Sequence, residues 1–141
     1  DSQFDYISCP IGTAGTISGI INSAGKHQKV LGFPALKGDW VRDEVAQYVD
    51  SEQWEIIADY HCGGYAKVNR ELITFINDFK DAYGIPLDPV YTGKMLFGLS
   101  DLMNRGYFPE NSRILAIHTG GLQGISGMNT RLAKKGLPLI Q

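Results

Sequence analysis

Three short stretches carry groups that could do chemistry. The first is Gly12, Thr13, Ala14, Gly15 and Thr16, set between an apolar run and a helical pattern. Glycines let backbone amides come close to an anion, a following helix adds the positive end of its dipole, and Thr13 and Thr16 add hydroxyl donors. Phosphate is the ligand such a loop suits. The spacing is neither the dinucleotide pattern G-x-G-x-x-G nor a P-loop, because no Gly-Lys-Ser/Thr closes it. A tight strand-to-helix connection that binds nothing fits the same residues. The second stretch is Leu87-Asp88-Pro89-Val90-Tyr91-Thr92-Gly93-Lys94. Asp88-Pro89 signals a turn, and Thr92 then reads as the N-cap of a helix, with Tyr91 beside it. Two hydroxyls at a helix N-terminus suit an anion or a polar ring; a plain structural cap is the alternative. The third is Thr119-Gly120-Gly121, which follows an apolar run.

The elements that must position these groups follow from periodicity. Strands are expected at 4–10, 29–36, 54–60 and 113–118. Ile17, Ile20, Ile21 and Ala24 recur at helical spacing, and Gly25 can end that helix. Asp39 is expected to cap a helix carrying Trp40, Val41, Val45, Tyr48 and Val49. Asn69 is expected to cap another with a core face of Leu72, Ile73, Ile76 and Phe79, stopped by Gly84. Met95, Leu96, Leu99, Leu102 and Met103 give the helix after Thr92, and a short helix is expected after Gly127. Trp40, Trp54 and the Met95/Met103 pair read as core. Strands alternating with helices predict an α/β fold, a three-layer α-β-α arrangement with a mainly parallel sheet, as a single domain over residues 1–141. Ligands of such sheets gather at the carboxyl ends of the strands. Two of the three stretches directly follow strands, which raises the binding-site reading above the bare connection.

Composition sets the outer bounds. The chain has 141 residues, 43% hydrophobic and 20% charged, with a formal net charge of −2. No basic stripe marks a nucleic-acid surface, and no apolar run is long enough for a transmembrane helix. Cys9 and Cys62 read as reduced thiols of a cytoplasmic protein. No cysteine or histidine cluster has metal-ligand spacing, so no metal is expected. His118 reads as a hydrogen-bonded structural histidine and Asp88 as a turn and cap residue. Lys94 reads as a structural or solvated surface lysine. The chain begins without methionine and enters a strand within a few residues, which suggests a fragment of something longer.

The run 87–94, followed by Arg113-Ile114-Leu115-Ala116-Ile117-His118-Thr119-Gly120-Gly121, resembles the C-terminal half of the 1-aminocyclopropane-1-carboxylate deaminase / D-cysteine desulfhydrase family. These are pyridoxal-phosphate enzymes of the tryptophan-synthase-β fold type, fold type II. The resemblance implies that the chain is a portion of that fold's large domain. It implies pyridoxal 5'-phosphate as cofactor, a small amino acid as substrate, and a homodimer for the full-length protein. Residues 12–16 resemble the cofactor-phosphate loop, whose amides and Thr13 and Thr16 hydroxyls would hold the phosphate. Gly64-Tyr65 resembles the loop that supplies an active-site tyrosine. Tyr65 and Tyr91 would then line the substrate side of the ring and handle protons or place the substrate.

Thr92 stands where the deaminases of the family carry a glutamate against the pyridine nitrogen. A neutral hydroxyl there leans away from cyclopropane-ring opening and toward desulfhydrase chemistry. Thr119, with Gly120, could meet that nitrogen instead, and the sequence leaves both open. The family's cofactor-bearing lysine and its substrate-carboxylate loop have no counterpart in this chain, and Lys94 does not match that lysine. The resemblance therefore implies the cofactor-binding part of a lyase or deaminase that releases ammonia and a 2-oxo acid, inactive by itself. A non-catalytic phosphate-ligand module and a bare structural fragment are the alternatives.

Overall fold

A computed structural model describes residues 3–141. Four parallel strands form one sheet in the order β3-β2-β1-β4: β1 Tyr6–Ile11, β2 Lys29–Pro34, β3 Trp54–Ile56 and β4 Ile114–Ala116. Five helices accompany them: α1 Ala14–Ser23, α2 Trp40–Ala46, α3 Arg70–Tyr83, α4 Thr92–Asn104 and α5 Ile125–Lys134, the last preceded by a 3₁₀ turn at Leu122–Gly124. The expected α/β class and parallel sheet are what the chain forms.

The period of two along each strand divides the core. Ile7, Cys9 and Ile11 of β1 and Val30 of β2 pack with Ile17 and Ile21 of α1 and with Val41 and Val45 of α2. Leu31 and Phe33 of β2 pack on the opposite face with Met95, Leu99 and Leu102 of α4. Behind α4, Leu72, Ile73 and Ile76 of α3 join Met128 and Leu132 of α5 in a third cluster. Two glycines allow the helices to close on the sheet. A Cβ on Gly32 would strike the ends of Ile11 and Ile17, and one on Gly98 would lie 2.8 Å from the rings of Phe33 and Tyr60.

The local signals at α3 hold in detail. Asn69 Oδ1 accepts from Leu72 N at 2.8 Å, and Gly84 ends the helix in the left-handed region at φ 70°. Other expectations are corrected. Asp39 makes no side-chain cap bond, and α2 ends at Ala46, short of Tyr48 and Val49. β3 stops at Ile56, although Ile57 N still donates to Gly32 O at 2.8 Å. Trp40 is 43% exposed and Met103 52%, so neither is core. Their apolar spacing puts them at the margin of a helical face, where packing runs out before periodicity does.

Cys9 is fully buried, and burial pushes its thiol from an ordinary 9.0 up to about 12. Above pH 9 the unfolded chain ionises this thiol while the folded chain keeps it protonated. Stability is therefore whole below pH 9 and falls as pH rises toward 12, by about 1.4 kcal/mol per pH unit for this one group. Tyr60 and Tyr107, both raised from 10.0 to about 12, add to the loss above pH 10. Urea midpoints measured at half-unit steps from pH 8 to pH 10 should show the decline begin near pH 9. Cys9→Ala should flatten the section between pH 9 and pH 10, although its whole curve lies lower.

Candidate functional site

The turn before α4 is built on one carboxylate. Asp88 is 1% exposed. Its Oδ2 accepts from Val90 N and Tyr91 N, each at 2.8 Å. Its Oδ1 accepts from Thr92 N at 2.8 Å and from the Thr92 hydroxyl at 2.6 Å. Pro89 places Asp88 outside the helix, where its side chain can reach forward over the next three amides. Asp88, not Thr92, is thus the capping side chain. Thr92 is the first residue of α4, fully buried, and its Oγ1 also accepts from Asp88 N at 3.0 Å. Both hydrogen-bonding capacities of that hydroxyl are turned inward.

The loop after β4 is tied to the same turn. Gly120 N donates to His118 Nδ1 at 3.1 Å, so the imidazole proton lies on Nε2, which donates to Pro86 O at 3.0 Å. Gly121, at φ 87°, lies so close that an added Cβ would be 3.0 Å from the Asp88 carboxyl carbon. His118 is structural, as its place at the end of an apolar run suggests.

The loop after β1 completes the arrangement. Gly12 faces the Tyr91 ring, and a Cβ there would sit 3.1 Å from Tyr91 Cε1. Thr13 is the N-cap residue of α1 in extended conformation, and its side chain makes no capping bond. Thr13, Gly15 and Thr16 are exposed, while the Ala14 side chain is buried in the core and leaves only its amide to the first turn. A polar cleft of about 390 Å³ opens at the carboxyl edge of β1 and β4, lined by Pro10, Gly12, Thr13, Thr16, Tyr91 and Thr119 and closed by Gly120, Gly121 and Gln123. So the structure brings the three stretches together. Thr92 lies beneath the cleft rather than in its lining. Pro10 and Gln123 are lining residues that sequence reasoning did not single out. Gln123 carried no local signal, since only the fold of the glycine pair turns it to this edge.

Tyr65 comes from the loop between β3 and α3. Its hydroxyl lies 3.4 Å from that of Tyr91, with the rings edge to face at 6.2 Å. The bond to Tyr65, together with burial, pushes the Tyr91 phenol from 10.0 up to about 12. At neutral pH Tyr91 is therefore a protonated hydroxyl that can donate, not a base. Cys62 is half-buried and its thiol is pushed up by burial, which leaves it a weak nucleophile. Among the described residues no group of three or more His, Cys, Asp or Glu gathers that could hold a metal. No helix of the described residues is long and apolar enough to cross a membrane.

These features define a parallel α/β protein with a polar cleft where two strand-following loops meet a capped helix. No family model matches the chain. It is 33% identical over 148 aligned positions to a 1-aminocyclopropane-1-carboxylate deaminase of Bradyrhizobium sp. (strain ORS 278), covering 89% of this chain and 42% of that protein. It is 30% identical over 142 positions to the protein of that name from Rhizobium rhizogenes (strain K84), with the same coverage of 89% and 42%. A crystal structure described as that of an ACC deaminase homologue superposes with a TM-score of 0.80 at 26% identity, over 94% of this chain and 44% of that one. The chain is thus similar in sequence and fold to proteins named 1-aminocyclopropane-1-carboxylate deaminase, and a C-terminal piece of such a protein fits the matches. It spans about two-fifths of the length of the curated relatives it matches.

Replacing Asp88 by alanine should strip three amides and one hydroxyl of their acceptor. Each buried donor left unpaired costs about 1–3 kcal/mol, so Asp88→Ala should lower the urea-unfolding free energy by at least that much. Asp88→Asn, which keeps one of the two acceptor oxygens but not the charge, should lose less.

Proposed function

We propose that this chain is the cofactor-holding portion of a pyridoxal-phosphate-dependent deaminase or desulfhydrase. The carrying observation is that Gly12, Thr13 and Thr16 border one cleft with Tyr91, Thr119 and Gly120. The residues fit the group. The first-turn amides of α1 have no partner within the helix and meet the free Thr13 side chain at an open edge. Nothing lies within 4 Å of where a Gly15 Cβ would be, so a phosphate has room to approach.

When bound, the cofactor would supply an electron sink for bonds at the substrate's α-carbon. The chain's own residues have separate tasks. Backbone amides of residues 13–16, with the Thr13 and Thr16 hydroxyls, would bind the phosphate. Tyr91, held protonated, donates to the Tyr65 hydroxyl, and the pair would line the substrate side, with the Tyr65 hydroxyl presenting its own proton to the substrate. The residues lining the cleft include no carboxylate, and the Thr119 hydroxyl is the neutral group that could meet a ring nitrogen. A neutral partner supports elimination better than cyclopropane-ring opening, so the reading leans to a D-cysteine desulfhydrase-like activity on a small amino acid. The whole protein would release ammonia and a 2-oxo acid, and would act as a homodimer. The chain supplies no lysine in the cleft, so it would bind the cofactor without turning it over.

The test is retention. The purified chain would be incubated with pyridoxal 5'-phosphate, gel-filtered, reduced with borohydride and weighed by mass spectrometry. The expected result is cofactor retained in competition with inorganic phosphate, with no adduct on Lys94. Replacing Thr13 and Thr16 together by valine should weaken retention about ten- to a hundredfold, the worth of one or two hydrogen bonds to a charged ligand. A stoichiometric adduct on Lys94 would overturn the assignment of the lysine. Retention of unrelated phosphate compounds with equal strength would favour a general phosphate module. No retention would sink the cofactor reading.

A further inference from the structure

Lys94 is the unexpected residue of α4. It is 1% exposed rather than solvated, and a buried ammonium is costly unless something is gained by it. Burial pushes its pKa down, while the neighbouring Cys62 and Asp88 favour the charged form. Its Nζ donates to Gly64 O at 2.9 Å. That carbonyl also accepts from Lys67 N at 3.1 Å.

The loop Lys94 holds is unusual. Cys62, Gly63, Gly64 and Ala66 all have positive φ, at 57°, 104°, 129° and 56°. Cys62 and Ala66 are not glycines, so this backbone is disfavoured and must be maintained by its contacts. Tyr65 sits in the middle of it and is 53% exposed. An exposed ring has little packing to fix it, and its placement comes through the backbone on either side. Tyr91 is the residue just before α4, and Lys94 stands three residues on, in the helix's first turn. A closed ring of contacts results: from Tyr91 to the Tyr65 hydroxyl, back through Gly64 O to Lys94 Nζ, and along the helix to Tyr91.

We propose that Lys94 is a positioning residue, whose buried ammonium clamps the Gly64 carbonyl and thereby sets Tyr65 against Tyr91. The inference deepens the reading above, in which the two tyrosines face the substrate, but its geometry does not depend on a cofactor. It also gives Lys94 a task other than carrying one.

The test uses Lys94→Met, which keeps the length of the side chain and removes the donor. Nuclear Overhauser contacts would be recorded at neutral pH on the chain with labelled aromatic rings. The Tyr65–Tyr91 contact should be lost in the variant. The Phe75–Phe97 contact, whose centroids are 5.6 Å apart between α3 and α4, should remain. Loss of the first with retention of the second supports the clamp, because a merely structural lysine would weaken both or neither. A full-strength Tyr65–Tyr91 contact in Lys94→Met would overturn it. Should that variant not fold, the unmutated chain still decides. A through-hydrogen-bond coupling between Lys94 Nζ and the Gly64 carbonyl carbon is expected, and a freely rotating, rapidly exchanging ammonium would refute the proposal. Failed cofactor retention would sink the cofactor proposal and leave both of these measurements on Lys94 unchanged, so the two proposals stand or fall separately.

Discussion

The rest of the structure depends on one buried carboxylate. Asp88 collects the three amides at the start of α4 and the Thr92 hydroxyl. These donors would otherwise have no partner within the helix, and burying them unpaired would oppose packing α4 against the sheet. With the carboxylate in place, α4 can begin abruptly after Pro89 and present Tyr91 outward while it turns Thr92 and Met95 inward. Gly121 rests against the same carboxylate, and His118 links its loop to Pro86. One side chain therefore sets both a helix start and the wall opposite it.

The glycines near this point share a logic. Gly12 admits the Tyr91 ring, Gly93 brings the α4 backbone within reach of Asp88 O, and Gly98 lets the middle of α4 settle between Phe33 and Tyr60. In each case a missing Cβ is replaced by a neighbour at van der Waals distance. A polar cleft with walls this close needs backbone on one side, because side chains on every side would fill it.

How much of this was legible in the sequence varies with the range of the interaction. Asn69 and Gly84 act on their own helix, and both were readable. Residues 12–16 and 119–121 were readable as loops after strands, because a parallel sheet forces such loops to one edge. The capping role of Thr92 was misread, because the reach of Asp88 across Pro89 depends on dihedral angles that residue types do not state. Of the two readings of Lys94, structural or surface, the surface one failed for a related reason. Nothing beside it in sequence shows that a carbonyl thirty residues upstream awaits its ammonium. Trp40 and Met103 had the spacing of core residues but lie where no second layer covers them. Long-range partners, rather than local propensity, decided each of these positions.

The strand order carries a consequence for how the cleft comes into being. β1 lies between β2, its near neighbour in sequence, and β4, which pairs Tyr6 with Ile114. The first pairing closes a short loop and can form early. The second must close a far longer loop, and the entropy of that closure is met when β4 docks. Thr119, Gly120 and Gly121 hang directly from β4, whereas residues 12–16 hang from β1. One side of the cleft thus hangs from a pairing that closes a short loop, and the other from a pairing far longer in range. A phosphate compound that bridged the two halves would act on folding as well as on the folded protein, by drawing the final strand into register.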